Sequence, residues 1–357
     1  MKLLYLSHVS WSWTKQRPQF LAEELSHKYD VTYVQEGSFR SRAKNSAGKV
    51  KIKRLFLLPF SRYGIIKRIN ILLYKVQLYG MCKKCDIIWF TSPQVVNWVP
   101  KRVFKHKVTV YDCMDDMIEL YPSDKSMGIN EAFLYNRARL VFASSSHLAG
   151  KLKHRYGPRE IQIVNNAISA NFDTSTDTLP KEYSKFIEKD KTILSYVGSI
   201  SSWMDFDLLK AIHNKFPQIT INLWGPPHEV NLPEHDGINL CGTVEHKYVS
   251  NILSESDILI MPFVVNELIE SVNPVKLYEY IYSGKPCLAP HYGESLPFED
   301  FVCLYKSHDE CIATIDKIIN GGIKQKSLAE CRDFVKNNTW KNRVDTINYA
   351  IVNVVED

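Results

Sequence analysis

Short apolar, β-rich runs alternate with amphipathic helical stretches along the whole chain, and they do so in two successive sets. The first set is KLLYLS at 2–7, VTYVQE at 31–36, KVKIKRLFLLP at 49–59, DIIWFT at 86–91, VTVYDC at 108–113, RLVFAS at 139–144 and IQIVNN at 161–166. The second is TILSYVG at 192–198, TINLWG at 220–225, INLCG at 238–242, DILIMPF at 257–263, KPCLAP at 285–290 and FVCLY at 301–305. A parallel neighbour requires a crossover of a dozen or more residues, usually a helix, so this rhythm predicts βαβ units around parallel sheets. The first interval fits: in RPQFLAEELSHK at 17–28, Pro18 suits a first helical turn and Phe20, Leu21 and Leu25 share an apolar face.

The two sets are separated by ANFDTSTDTLPKEYSKFIEKD, a polar stretch without apolar periodicity. A chain of 357 residues suits two domains at about 150 residues each. The expected division is a first domain over 1–170, a link over 171–190, a second domain over 191–338 and a terminal helix over 339–357, free to cross back to the first. Two doubly wound α/β domains in tandem would face each other across a central cleft at the carboxyl ends of their strands, where ligands of such sheets bind. No solenoid repeat or low-complexity tract interrupts this pattern.

Charge separates the halves. The net charge is +6, but residues 1–170 hold 28 Lys and Arg against 12 Asp and Glu, a net of +16, leaving −10 for the remainder. The first half is therefore expected to face an anion: nucleic acid, a phosphorylated substrate or an acidic membrane surface. Its strongest candidate for a surface helix is residues 61–85, where Arg62, Lys67, Arg68, Lys75, Lys83 and Lys84 mix with Ile65, Ile66, Ile69, Ile71, Leu72, Leu73, Val76 and Leu78. Such a basic, apolar helix suits peripheral contact with an anionic membrane; the competing reading is a packed crossover helix with a solvated basic face. No apolar run reaches the roughly 18 residues that span a bilayer, and His8 interrupts the first apolar stretch too early for a secretory signal, so a cytoplasmic protein is expected. The eight cysteines lack the spacing of a disulfide framework; the CxxC of Cys82 and Cys85 has no second pair to complete a zinc site.

The segment richest in chemistry is NELIESVNPVKLYEYIYSGKPCLAP at 266–290. Pro274 can open a helix whose first turn offers free N–H groups, Lys276 lies in that turn, Glu279 follows one turn later and Gly284 closes the helix. A helix amino end with a lysine is a phosphate site, and the carboxylate could bind ribose hydroxyls, so the segment reads as a nucleotide-diphosphate clamp. Gly198, Gly225 and Gly242 each end a strand of the same half, where backbone must approach a ligand or turn sharply. Ser199 and Ser201 follow the first of them.

In the first half, YDCMDDM delivers Asp112, Asp115 and Asp116 to a strand end. Clustered carboxylates raise one another's pKa, which suits a general base that deprotonates an acceptor hydroxyl. Asp116 is the first choice and Asp115 the second; capping of the helix that starts at MIELY competes as an explanation. The loop SHVSWSWTKQRPQ joins the first strand to the first helix and carries His8, Trp11, Trp13, Lys15 and Arg17. Aromatic rings stack on sugars and cations hold phosphate, so an acceptor glycan-phosphate is expected there, unless the tryptophans pack beneath the sheet.

These segments together resemble the GT-B glycosyltransferases, particularly family-4-like enzymes and bacterial capsular, teichuronic and exopolysaccharide sugar transferases. The resemblance spans nearly the whole chain through RPQFLAEEL, VYDCMDD, VFASSSHL, IVNNAISANF, YVGSISSWMDFDLL, LCGTVEH and, above all, NPVKLYEYIYSGKP at 273–286. It implies two Rossmann-like domains and a nucleotide-diphosphate sugar, with UDP as the base-bearing carrier, as co-substrate without further cofactor or metal. It implies donor diphosphate and ribose contacts at Lys276 and Glu279, with Asn273, Pro274 and Val275 in the same motif, and a nucleobase border at Gly242 and Thr243. The chain departs from the pattern where Ser271 stands in place of an acid eight positions before Glu279, where Ser199, Ile200 and Ser201 replace a basic pair after Gly198, and where Asn166 is followed by Ala167. The implied acceptor is a glycan or lipid-linked glycan of cell-surface polysaccharide. A nucleotide-sugar 2-epimerase of the same fold is the alternative, though it would leave the basic half unexplained. A nucleic-acid-binding protein is disfavoured because no helix-turn-helix, zinc finger or RNP-like motif is present; a dinucleotide dehydrogenase is disfavoured because SHVSWSW is no GxGxxG.

Overall fold

All thirteen apolar runs form strands in the computed structural model, which describes residues 1–37, 46–60, 63–172, 178–188, 190–228, 230 and 235–356. The chain divides into two compact units, Met1–Asn166 with Trp340–Asp357, and Ala167–Thr339. The first unit's sheet contains β1 (Lys2–Leu6), β2 (Asp30–Glu36), β3 (Ser46–Ala47), β4 (Val50–Leu55), β5 (Ile87–Phe90), β6 (Val108–Cys113), β7 (Leu140–Ala143) and β8 (Gln162–Ile163). Their order is β3-β4-β2-β1-β5-β6-β7-β8, with every pairing parallel except the short β3–β4 hairpin. That hairpin is too short to give a periodic signal; Gly48, with φ +56°, makes its turn.

The second unit's sheet contains β9 (Thr192–Val197), β10 (Ile219–Trp224), β11 (Ile238–Gly242), β12 (Ile258–Ile260), β13 (Cys287–Pro290) and β14 (Cys303–Tyr305). Its order, β11-β10-β9-β12-β13-β14, is the doubly wound one, and all its pairings are parallel. Helices cover both faces of such a sheet, which is why every residue of β5 and β10 is buried, including the polar Thr220 and Asn222 of β10.

In the first unit Tyr5 stacks between Tyr33 and Trp89, each ring pair 5.5 Å apart, so aromatic area fills the core under the β1 loop. Trp340 opens the terminal helix Trp340–Glu356 and stacks on Phe20 of the helix Arg17–Leu25 at 5.3 Å, which anchors the chain end to this unit. In the stretch read as a link, Phe172 and Tyr183 are buried in the second unit's core; residues 173–177 and 189 lie outside the described residues.

The basic segment forms the helix Gly64–Lys84, with Asn70, Tyr74, Leu78 and Cys82 packed inward. Ser61 and Arg62 lie outside the described residues. Among the described residues no helix is long and apolar enough to cross a membrane.

Candidate functional site

Pro274 is the N-cap of the helix Val275–Ser283, which ends at Gly284 in the left-handed conformation, φ +70°. A turn beginning at proline leaves its first N–H groups unbonded within the helix, and Lys276 projects from that turn. Lys276 Nζ lies 2.9 Å from Glu279 Oε2, and the carboxylate is buried while the lysine side chain keeps 29% of its exposure. His246 Nε2 stands 3.9 Å from the other oxygen, Oε1. The helix is tied to the end of β9 because the Val197 N–H donates to the Tyr280 hydroxyl at 2.9 Å.

The loop after β9 is crowded against this helix. A Cβ on Gly198 would meet the Tyr196 hydroxyl at 2.5 Å and Lys276 Cε at 3.4 Å, so the lysine stands directly over the strand end. A Cβ on Gly225 would lie 1.8 Å from the Gly198 carbonyl oxygen, at a φ of +152° that side chains avoid. The Gly198 N–H donates to Trp224 O and the Gly225 N–H to Gly242 O, both at 2.8 Å, so the three strand-end glycines form one stitched rim. Ser199 is half-buried on that rim, its carbonyl accepting the Tyr196 hydroxyl at 2.8 Å, and Thr243 is exposed beside Gly242.

The other expected donor residues are turned inward. Ser201 donates its hydroxyl to His228 O at 3.0 Å, and Ser271, which is buried, donates to Glu267 O at 3.2 Å. Asn273 is buried too; its amide donates to Glu294 Oε2 at 3.5 Å and its oxygen accepts the Tyr278 hydroxyl at 3.4 Å. These three side chains brace the loops that carry Lys276, and Val275 contributes as backbone of the first turn. His246, Glu294 and Tyr280 went unremarked in the sequence because their partners lie distant along the chain.

In the first unit the three aspartates at the end of β6 separate into different environments. Asp112 is fully buried and gripped by Arg17, Nη2 to Oδ1 at 2.7 Å and Nε to Oδ2 at 3.1 Å. Arg17 also donates to Val164 O at 2.7 Å. Its guanidinium is thus occupied within the fold, contrary to the expectation that it receives an acceptor phosphate.

Asp116, first choice as base, caps the helix Met117–Leu120 by accepting the Glu119 N–H at 3.4 Å. It also bonds Arg155 through both oxygens, at 3.1 and 2.9 Å, and Lys151 Nζ at 2.9 Å. Burial works against its charge, but Arg155 and Lys151 outweigh that and hold the carboxyl below its ordinary value. A carboxylate so stabilised is a poor proton acceptor. Asp115 between them is partly exposed, and burial, opposed by Arg17 and reinforced by Asp112 and Asp116, pushes its carboxyl up to about 6. Lys151 and Arg155 lie four apart on the helix Ser146–Tyr156 and hence on one face, a signal present in the sequence, although nothing there named the partner.

The β1 loop is similarly divided. His8 bonds Thr91 Oγ1 at 3.1 Å, and burial pulls its ring down to about 4, leaving it neutral at pH 7. Trp11 is half-buried with its ring edge-on to Tyr33 at 4.9 Å, as the packing alternative anticipates. Lys15 pairs with Glu23 and lies over the Phe20 ring at 4.4 Å. Trp13 is the more exposed of the two loop tryptophans, at 52%.

No protein-family model matches the chain. A Bacillus subtilis protein named as a teichuronic acid biosynthesis glycosyltransferase, TuaH, is 23% identical in an alignment 281 positions long that covers 71% of this chain and 68% of that one. Among solved structures, a sucrose-phosphate synthase from Thermosynechococcus elongatus gives a TM-score of 0.79 at 12% identity, with all of both chains covered. Anabaena HepE in complex with UDP-glucose gives 0.78 at 14% identity, covering 99% of this chain and 100% of that one.

Proposed function

We infer that this chain, whose likeness to those solved structures makes its fold GT-B, is a glycosyltransferase that moves a sugar from a UDP-sugar to a hydroxyl of a glycan or lipid-linked glycan. The observation that carries the reading is the Lys276–Glu279 pair on the first turns of the helix Val275–Ser283, set against the glycine rim of Gly198, Gly225 and Gly242. The rim lets a diphosphate approach the backbone; Lys276 and the free N–H groups of the helix stabilise the charge that develops as the bond from the anomeric carbon to the diphosphate breaks. Glu279 accepts ribose hydroxyls, and Thr243 borders the base. The UDP-glucose bound by HepE supports UDP as the carrier.

Asp115 is the base. Its carboxylate takes the acceptor hydroxyl proton as that oxygen attacks the anomeric carbon, and a carboxyl near 6 is ionised yet basic at neutral pH. Trp13 offers a stacking face to the acceptor. The teichuronic relative supports a role in cell-surface polysaccharide synthesis. The exposed apolar side of the basic helix Gly64–Lys84 supports peripheral attachment to the cytoplasmic face of an anionic membrane, and eight free thiols suit that reducing compartment.

The test is UDP release from a panel of UDP-sugars, with and without a pool of polyprenyl-linked glycans. Acceptor-stimulated release, lost in Asp115→Asn, is expected; release indifferent to acceptors, or absent with every donor, contradicts the reading.

A further inference from the structure

The helix Gly64–Lys84 carries a second face. Ile65, Ile69, Leu72, Val76 and Tyr79 recur at spacings of four, three, four and three, and are 75, 41, 62, 67 and 45% exposed. This is a continuous stripe opposite the buried residues Asn70, Tyr74, Leu78 and Cys82, so it is surplus to the core. Phe60 and Tyr63, just ahead of the helix in sequence, are also exposed, at 63 and 55%.

The stripe ends at a cavity of about 260 Å³, and Tyr79 belongs to both. Lys83, Arg102, His106 and Lys107 line that cavity over a floor that includes Val103, and no acidic residue lines it. Lys83 Nζ and the Arg102 guanidinium carbon each sit 5.4 Å from the Tyr79 ring centroid. Lys107 is fixed by donating to Cys85 O at 2.6 Å, which holds a cation in the cavity lining. Among the described residues neither Lys83 nor Arg102 is ion-paired, whereas Lys15, Lys28 and Lys51 on the same unit all are. Lys83 and Arg102 also draw the Tyr79 hydroxyl below its ordinary pKa, the response of a phenol to a local excess of positive charge.

We propose that this cavity receives the phosphate of an anionic lipid headgroup while the stripe from Ile65 to Tyr79 enters the boundary of the acyl chains. The charge is complementary and the geometry continuous: an apolar strip that ends in cations with no carboxylate partner among the described residues is the order of a lipid monolayer read from tail to phosphate. The proposal rests on the membrane attachment argued above and adds a defined headgroup site to it.

The test is co-sedimentation with phosphatidylcholine vesicles, with and without phosphatidylglycerol, for wild type, Lys83→Gln/Arg102→Gln, and Lys317→Gln/Lys336→Gln as a control of equal charge on the second unit. A thermal-shift titration with inorganic phosphate and glycerol 3-phosphate runs in parallel, and retained UDP binding verifies that each variant is folded. Wild type is expected to prefer phosphatidylglycerol vesicles, the Lys83/Arg102 variant to bind them about tenfold more weakly, and the control to match wild type. Equal binding by the two double variants would overturn the headgroup site while leaving membrane attachment standing. No vesicle binding by wild type would overturn both. A phosphate-induced shift lost in the Lys83/Arg102 variant, with vesicle binding intact, would assign the cavity to a soluble phosphate instead.

Discussion

Arg155 holds Asp116 with both arms of its guanidinium, Nη1 to Oδ1 at 3.1 Å and Nη2 to Oδ2 at 2.9 Å, and so makes a poor proton acceptor of the aspartate that its place in the sequence favours most. Asp115, one residue earlier and without such a clamp, is the base in the mechanism proposed above. Asp115→Asn should lower kcat by about 10²- to 10⁴-fold with UDP affinity unchanged. Asp116→Asn should act chiefly on stability. Steady-state kinetics beside UDP titration separate the two, and full turnover by Asp115→Asn would exclude it as the base.

The same assignment sets a pH dependence. A base must be ionised, and burial raises the Asp115 carboxyl to about 6, so kcat/KM should fall as pH drops through that value. His8, pulled down to about 4, adds no step between pH 5 and 8. A pH–rate profile of wild type and His8→Gln should show the same acid limb; a limb that disappears with His8 would reassign it.

Arg17 and Asp112 form an ion pair that is buried on both sides. Removing one partner strands the other charge, so Arg17→Met should cost about 3–5 kcal/mol, and the double variant Arg17→Met/Asp112→Leu should recover much of the loss. Denaturant unfolding measures both. Near-native stability with lost acceptor use in Arg17→Met would restore the phosphate-binding role first expected for it.

Gly225→Ala places a methyl group 1.8 Å from the Gly198 carbonyl at a φ of +152°. The rim must move, at a cost of about 3 kcal/mol, and the donor should bind more weakly. Unaltered UDP affinity in a folded Gly225→Ala protein would detach the rim from donor binding.

The strands were legible because parallel strands buried on both faces leave apolar-rich runs: IIWF is wholly apolar, and ITINLW is broken only by Thr220 and Asn222. The helix Val275–Ser283 was legible because Pro274 and Gly284 mark its ends chemically. Side-chain allegiance was not: Arg17 lies 95 positions from Asp112, and nothing local distinguishes a buried partner from a ligand contact. Serines and asparagines that suited a ligand, Ser201, Ser271 and Asn273, instead bond their own surroundings, because short polar side chains in loops bond nearby groups. Phe172 and Tyr183 sit among polar neighbours, so their burial in the second unit left no periodic trace.

The donor clamp is the centre of the account, and thermal shift of wild type and Lys276→Ala with UDP-, GDP-, ADP- and CDP-sugars tests it most directly. Stabilisation of wild type by UDP-sugars, absent in Lys276→Ala, is the expected result. No stabilisation by any of the four, or an equal shift in the variant, would contradict it.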